Sequence, residues 1–110
     1  MNNEPTNEQL AEWIEKGLAT EGVQEATAPY LSMYGLPCKV CALGAMIIGK
    51  VGDIERAREA VCEMNFQTIE ADIAKALGFS PVLARQIDDL HKSEKTAREI
   101  AAILRNGEIE

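Results

Sequence analysis

The stretch CKVCALGAMIIGK, residues 38–50, decides the fold. Between residues 40 and 49 it carries no charged side chain. That run is about half the ~20 residues needed to span a bilayer. A helix of this length that is apolar nearly all round must be enclosed by protein, so residues 38–50 predict a central helix with other helices packed about it. Cys41, Ala45 and Gly49 follow at four-residue spacing on one stripe, where small side chains let a neighbouring helix approach closely.

Helix signals recur on both sides of this centre. Thr6 and Gln9 read as a capping box, followed by Leu10, Trp13, Ile14, Gly17 and Leu18 on one face, with Gly22 as a left-handed stop. A short helical piece is expected over residues 23–34, broken by Gly35 and Pro37. Asp53 is a good N-cap for Ile54, Ala57, Val61 and Met64. Asn65 either interrupts that helix or lets it run on through Ile69, Ile73 and Leu77 to Gly78. Ser80-Pro81 is the clearest start in the chain, an N-cap serine before a first-turn proline, and Leu83, Ala84, Ile87 and Leu90 form the face it buries. Thr96 and Glu99 form a second capping box, leading to Ile100, Ile103 and Leu104 before Asn106-Gly107. No convincing alternating run appears. The expectation is an all-α fold: one domain over residues 1–110, a compact irregular bundle of five or six short helices, with residues 1–5 flexible.

Composition agrees and narrows the function. A chain of 110 residues buries roughly 60–70% of its unfolded surface without needing metal or disulfides. Fifteen alanines favour helix, and the five aromatics leave a mainly aliphatic core. The net charge of −7 is uneven: −5 over residues 1–32, zero over 33–67 and −2 over 68–110. Such a balance disfavours phosphate backbones and anionic membranes. The polar, acidic N-terminal residues do not resemble a secretory leader, and three cysteines make no disulfide framework. A cytoplasmic protein is expected.

Three features could carry function. Cys38 and Cys41 form a Cys-x-x-Cys pair, but the thioredoxin-like βαβ context is missing. With Cys62 and His91 they would make four soft zinc ligands, yet Cys62 and His91 are isolated from each other in sequence. Packing of Cys41 and Cys62 as small buried residues is the expectation, with no metal or cofactor. Residues 70–89 resemble a helix-turn-helix, with Ile73-Ala74 and Leu77-Gly78 at the packing and turn positions. Its second helix sets one Arg85 against Asp88 and Asp89, a poor set for reading bases, so nucleic-acid binding is disfavoured. Lastly, the acidic chain changes sign locally. Lys92, Lys95 and Arg98, with Arg85 and His91 nearby, surround the start of the last helix and could hold a small anionic ligand such as a nucleotide. No Gly-rich phosphate loop, Gly-x-Ser-x-Gly or His-Glu-x-x-His is present, which points away from an enzyme.

Cys41-Ala-Leu-Gly-Ala45, the Ile-x-x-Leu of Ile87 and Leu90, and Glu99-Ile100-Ala101 together resemble a group of small bacterial and prophage proteins. Those proteins carry a Cys-Ala-Leu-Gly-Ala type helix near the middle and a short final Glu-Ile-Ala helix. The resemblance spans residues 38–104 and departs at His91-Lys92, where such proteins show Asn-Asp. It implies a helical fold and a phage-related setting, and supplies no activity or site. The expected function is a non-catalytic helical interaction protein acting on a protein partner or on its own copy. The alternatives are an anionic-ligand binder and a helix-turn-helix regulator.

Overall fold

The computed structural model describes residues 5–26 and 30–107. Six α-helices dominate them: α1 (Asn7–Ala19), α2 (Ala42–Val51), α3 (Ile54–Cys62), α4 (Ile69–Leu77), α5 (Pro81–Lys92) and α6 (Ala97–Arg105). A 3-10 turn, Phe66–Thr68, precedes α4, and two short strands, β1 (Val23–Glu25) and β2 (Cys38–Val40), lie between α1 and α2. The all-α expectation holds in its architecture, with a two-stranded parallel sheet added to it.

α2 is the enclosed centre. Every residue from position 42 to 48 is buried. Its small stripe is used as its spacing implies: a Cβ on Gly49 would collide with the backbone carbonyl of Trp13, and one on Gly17 with that of Ala45. Backbone meets backbone where α1 crosses α2, leaving no room for a side chain. Leu10 and Ile14 of α1 complete that contact. α6 closes the outside of α1, where Arg105 donates from Nε to Glu8 Oε2 at 2.8 Å and from its terminal nitrogen to Glu15.

Residues 23–34 are not the helix expected of them, and α2 begins at Ala42 rather than at Cys38. The reason is pairing with a third segment, to which local periodicity is blind. β1 and β2 run parallel with Val23 opposite Cys38 and Glu25 opposite Val40. Cys38 N–H donates to Gly22 O at 2.6 Å and Ala26 N–H to Val40 O at 2.8 Å. On the other side of β2, Ser32 N–H donates to Lys39 O at 2.8 Å, and Leu31 bridges Val40. Cys38 and Val40 point inward and Lys39 outward, a three-residue alternation too short to register as a strand. Residues 27–29 and 1–4 of the expected segments lie outside the described residues; Pro5 is half-buried, near Gly78.

The remaining helix boundaries follow their caps. Thr6, Asp53, Ser80 and Thr96 each accept a backbone N–H from the first turn of their helix. Asn65 is an interruption: its side chain accepts from Gln67 N at 2.9 Å, while its own N–H donates to Asp72 Oδ2 at 2.9 Å. α4 and α5 are joined through Gly78, whose φ of 89° turns the chain sharply.

Candidate functional site

Of the five residues of the expected anionic corner, Arg85 is exposed on α5 and lines a cavity that none of the other four lines. His91 is buried and turned inward, its Nε2–H donating to Ala26 O at 3.0 Å. That leaves Nδ1 buried without a partner and makes His91 a tie between α5 and the end of β1. Lys92 Nζ lies 3.0 Å from Asp88 Oδ2, and close contact with that carboxylate and its charge holds the ammonium above the usual lysine range. Lys95 and Arg98 are exposed. Arg98 lies near enough to Glu15 of α1 to help lower that carboxyl, after the larger effect of Arg105. The first N–H groups of α6 are already answered by carboxylates. Glu99 closes the capping box with Thr96, and Glu25 Oε2 accepts from Ala97 N at 2.8 Å.

The cysteine candidates also separate. Cys38 and Cys41 are buried free thiols, whereas Cys62, expected to be buried, is exposed at the end of α3. Cys41 sits at the N-cap of α2, a place that usually activates a thiol. Burial wins there: it pushes the thiol up to about 11, aided by Asp88, while the N–H groups of Gly44 and Leu43 pull the other way. Cys38 Sγ lies 3.5 Å from Ser32 O. Among the described residues no three His, Cys, Asp or Glu side chains are grouped to hold a metal.

What the fold assembles instead is a groove of two chambers across segment 30–34, α3, α4 and α5. The larger, about 690 Å³, is lined by Tyr30, the 3-10 turn and the first turns of α4 and α5, with Gln67, Glu70, Arg85 and Gln86 as its polar groups of longer reach. The smaller, about 340 Å³, is lined by Leu31, Met33, Tyr34, Val61, Cys62 and Met64 and by no charged residue. Tyr30 and Ile69 line both, so the chambers adjoin across a Tyr30–Ile69 ridge. Both volumes fall in or near the range of ordinary ligand pockets, roughly 300–1,000 Å³.

Charge beneath the ridge is arranged around a neutral phenol. Burial, then the carboxylates of Asp88 and Glu70, pushes Tyr30 well above the usual phenol range, so it keeps its proton. Asp88 is itself buried; Lys92 balances its charge without an aligned hydrogen bond to the buried Oδ2. Gln86 Oε1 is likewise buried and unpaired.

The outer lip is presented by an arginine clamp. Arg58 of α3 donates from Nε to Ser32 O at 2.9 Å and from Nη2 to Gly35 O at 2.6 Å. The clamp holds a loop on which Tyr34 is 92% and Leu36 74% exposed, and Val82 across the groove is 66% exposed. Singly exposed apolar residues are ordinary, but Tyr34 and Val82 line one partly apolar groove, which is the pattern of a contact surface. Tyr34, Arg58, Ile69 and Glu70 were not visible as a site in the sequence. The available signal was a tyrosine and a leucine inside a Gly/Pro loop, where turn chemistry normally selects polar residues.

Comparison with protein-family models, with curated proteins and with solved structures gave no match to this chain. No helix among the described residues is long and apolar enough to cross a membrane.

Proposed function

We propose that this chain is a non-catalytic interaction protein that engages a protein partner through the groove between segment 30–34 and helices α3, α4 and α5. The observation that carries the reading is the coincidence of an apolar chamber with an exposed Tyr34 in its wall, on a backbone segment that Arg58 holds at Ser32 and Gly35. Aromatic side chains held in place lose little entropy on binding and make strong anchors. Support for a non-catalytic role comes from the groove's chemistry. Its half-buried phenol keeps its proton, its neighbouring thiol is raised to about 11, and His91 is turned away into the interior. In the phage-related setting implied by the Cys-Ala-Leu-Gly-Ala resemblance, the partner would be a bacterial protein and the compartment the cytoplasm.

The test is comparative capture from bacterial lysate by the wild type and by a Tyr34→Ser, Val82→Ser double variant. Both positions are solvent-facing, so the fold is expected to survive, which circular dichroism checks. Proteins retained by the wild type and lost by the variant support the reading. Identical captured sets sink it. Light scattering on the free protein, run alongside, separates a partner from a second copy of the chain.

A further inference from the structure

We propose that the groove takes a basic amphipathic segment of its partner, an inference that rests on the interaction reading above and names the chemistry of the occupant. An apolar side chain fills the smaller chamber, and lysine or arginine side chains meet Glu59, Glu63 and Glu70. The chamber's wall includes Met33 and Met64, both half-buried. Methionine is unbranched and polarizable, and it adapts to varied apolar shapes, which suits a groove that receives a helix face.

The rim supplies the sign. Cys62 lines the chamber, and Glu59 stands three residues before it on α3, a neighbour on the helix surface. Glu55, Glu59 and Glu63 follow at four-residue spacing, so they form a stripe beside Cys62; all three are exposed. Arg56 is the one exposed cation on α3, because Arg58 is engaged by the Ser32 and Gly35 carbonyls. Across the ridge Glu70 is half-buried in the larger chamber, where Arg85 on α5 is the opposing charge. A cationic segment therefore enters along α3 and leaves Arg85 for an acceptor at its far end. The chain's net charge of −7 steers such a partner towards the surface. A second copy would set the same glutamates and the same −7 against themselves, and nucleic acid would be repelled outright.

The experiment uses two designed peptides of about 18 residues with leucine at helical spacing, one with lysine and one with glutamate on the polar face. Binding is followed by fluorescence anisotropy at about 150 mM salt. The protein is compared with Glu59→Lys/Glu63→Lys and with Glu12→Lys/Glu94→Lys, an equal charge change at exposed sites that line neither chamber. The expected result is saturable binding of the lysine peptide with amide shifts at Met33, Met64 and Ile69. The rim reversal should weaken it roughly tenfold and the distant reversal less than about twofold. Equal weakening by both variants means general charge attraction and overturns the proposal, as does failure of the lysine peptide to bind. Groove binding by the glutamate peptide overturns the partner class while leaving the interaction reading standing. A dimer that buries Tyr34 and excludes both peptides overturns it in favour of self-association.

Discussion

Replacing Gly17 by alanine should destabilise the protein, against the usual sense of that substitution. On an open helix surface Gly→Ala is worth roughly 1 kcal/mol in favour of the folded state. Gly17 is buried in α1, and the added methyl would meet the Ala45 carbonyl of α2, a backbone atom that cannot rotate aside. Relief requires the two helices to part by about an ångström, enough to lose a quarter to a half of each dispersion contact between them. Overpacking of this kind costs about 1–3 kcal/mol, and the contact involved is the one that encloses the central helix. After subtracting the propensity gain of roughly 1 kcal/mol from the middle of that range, a net loss of about 1 kcal/mol is expected, out of a total of about 5–15. Urea unfolding at 25 °C measures it, with Ala102→Gly, at an exposed site within α6, giving the local propensity value for comparison. Gly49→Ala should behave alike through the Trp13 carbonyl, and the double variant should lose less than the sum, since the first methyl already separates the helices. A Gly17→Ala protein as stable as the wild type would refute the close crossing.

Other outcomes follow from the clamp, the buried thiol and the last cap. Arg58→Ala removes two charge-assisted hydrogen bonds to the Ser32 and Gly35 carbonyls, so stability should fall by about 1–2 kcal/mol. Hydrogen exchange should quicken at Ser32 and Lys39, and capture of the partner should weaken. Cys41 is raised from 9.0 to about 11, so the native state holds its proton more tightly than the unfolded chain does. Stability from this group is therefore complete below pH 9 and is lost as pH rises towards 11, by about 2–3 kcal/mol, with Tyr30 acting in the same direction above its ordinary 10.0. Alkaline unfolding of Cys41→Ala should show a flatter slope; an unchanged slope would count against the burial of the thiol. In the native protein a thiol reagent should label Cys62 at once, and Cys38 and Cys41 only on unfolding. Thr96→Ala should cost about 1 kcal/mol in thermal unfolding, because the hydroxyl that accepts from Glu99 N–H is lost while the backbone N–H at 96 can still donate to Glu99.

Much of the fold was legible because helix boundaries are written in local chemistry. A hydroxyl or carboxylate two or three residues ahead of a free N–H caps a helix regardless of what packs on it, so Asp53, Ser80 and Thr96 could be read directly. The central position of α2 was legible for a different reason: seven consecutive apolar residues leave no face for water. The expected ligand corner was read as bare charge along the chain, and charge alone does not say who already answers it. Glu25 reaches Ala97 from 72 residues away, and Asp88 holds Lys92 from beneath.

By itself, then, the sequence determined the helical class, the enclosed helix and most of its caps, since those depend on neighbours within a turn or two. Only the tertiary structure decided that residues 23–25 and 38–40 pair as strands, because each lacks a partner until the chain has folded back on itself. The groove belongs to the same kind of feature. Tyr30, Arg58, Ile69 and Arg85 come from four separate segments, and no periodicity links them. They meet because α2 must be covered from every side, and segment 30–34, α3, α4 and α5 supply part of that cover, leaving between them the chambers to which a partner is assigned.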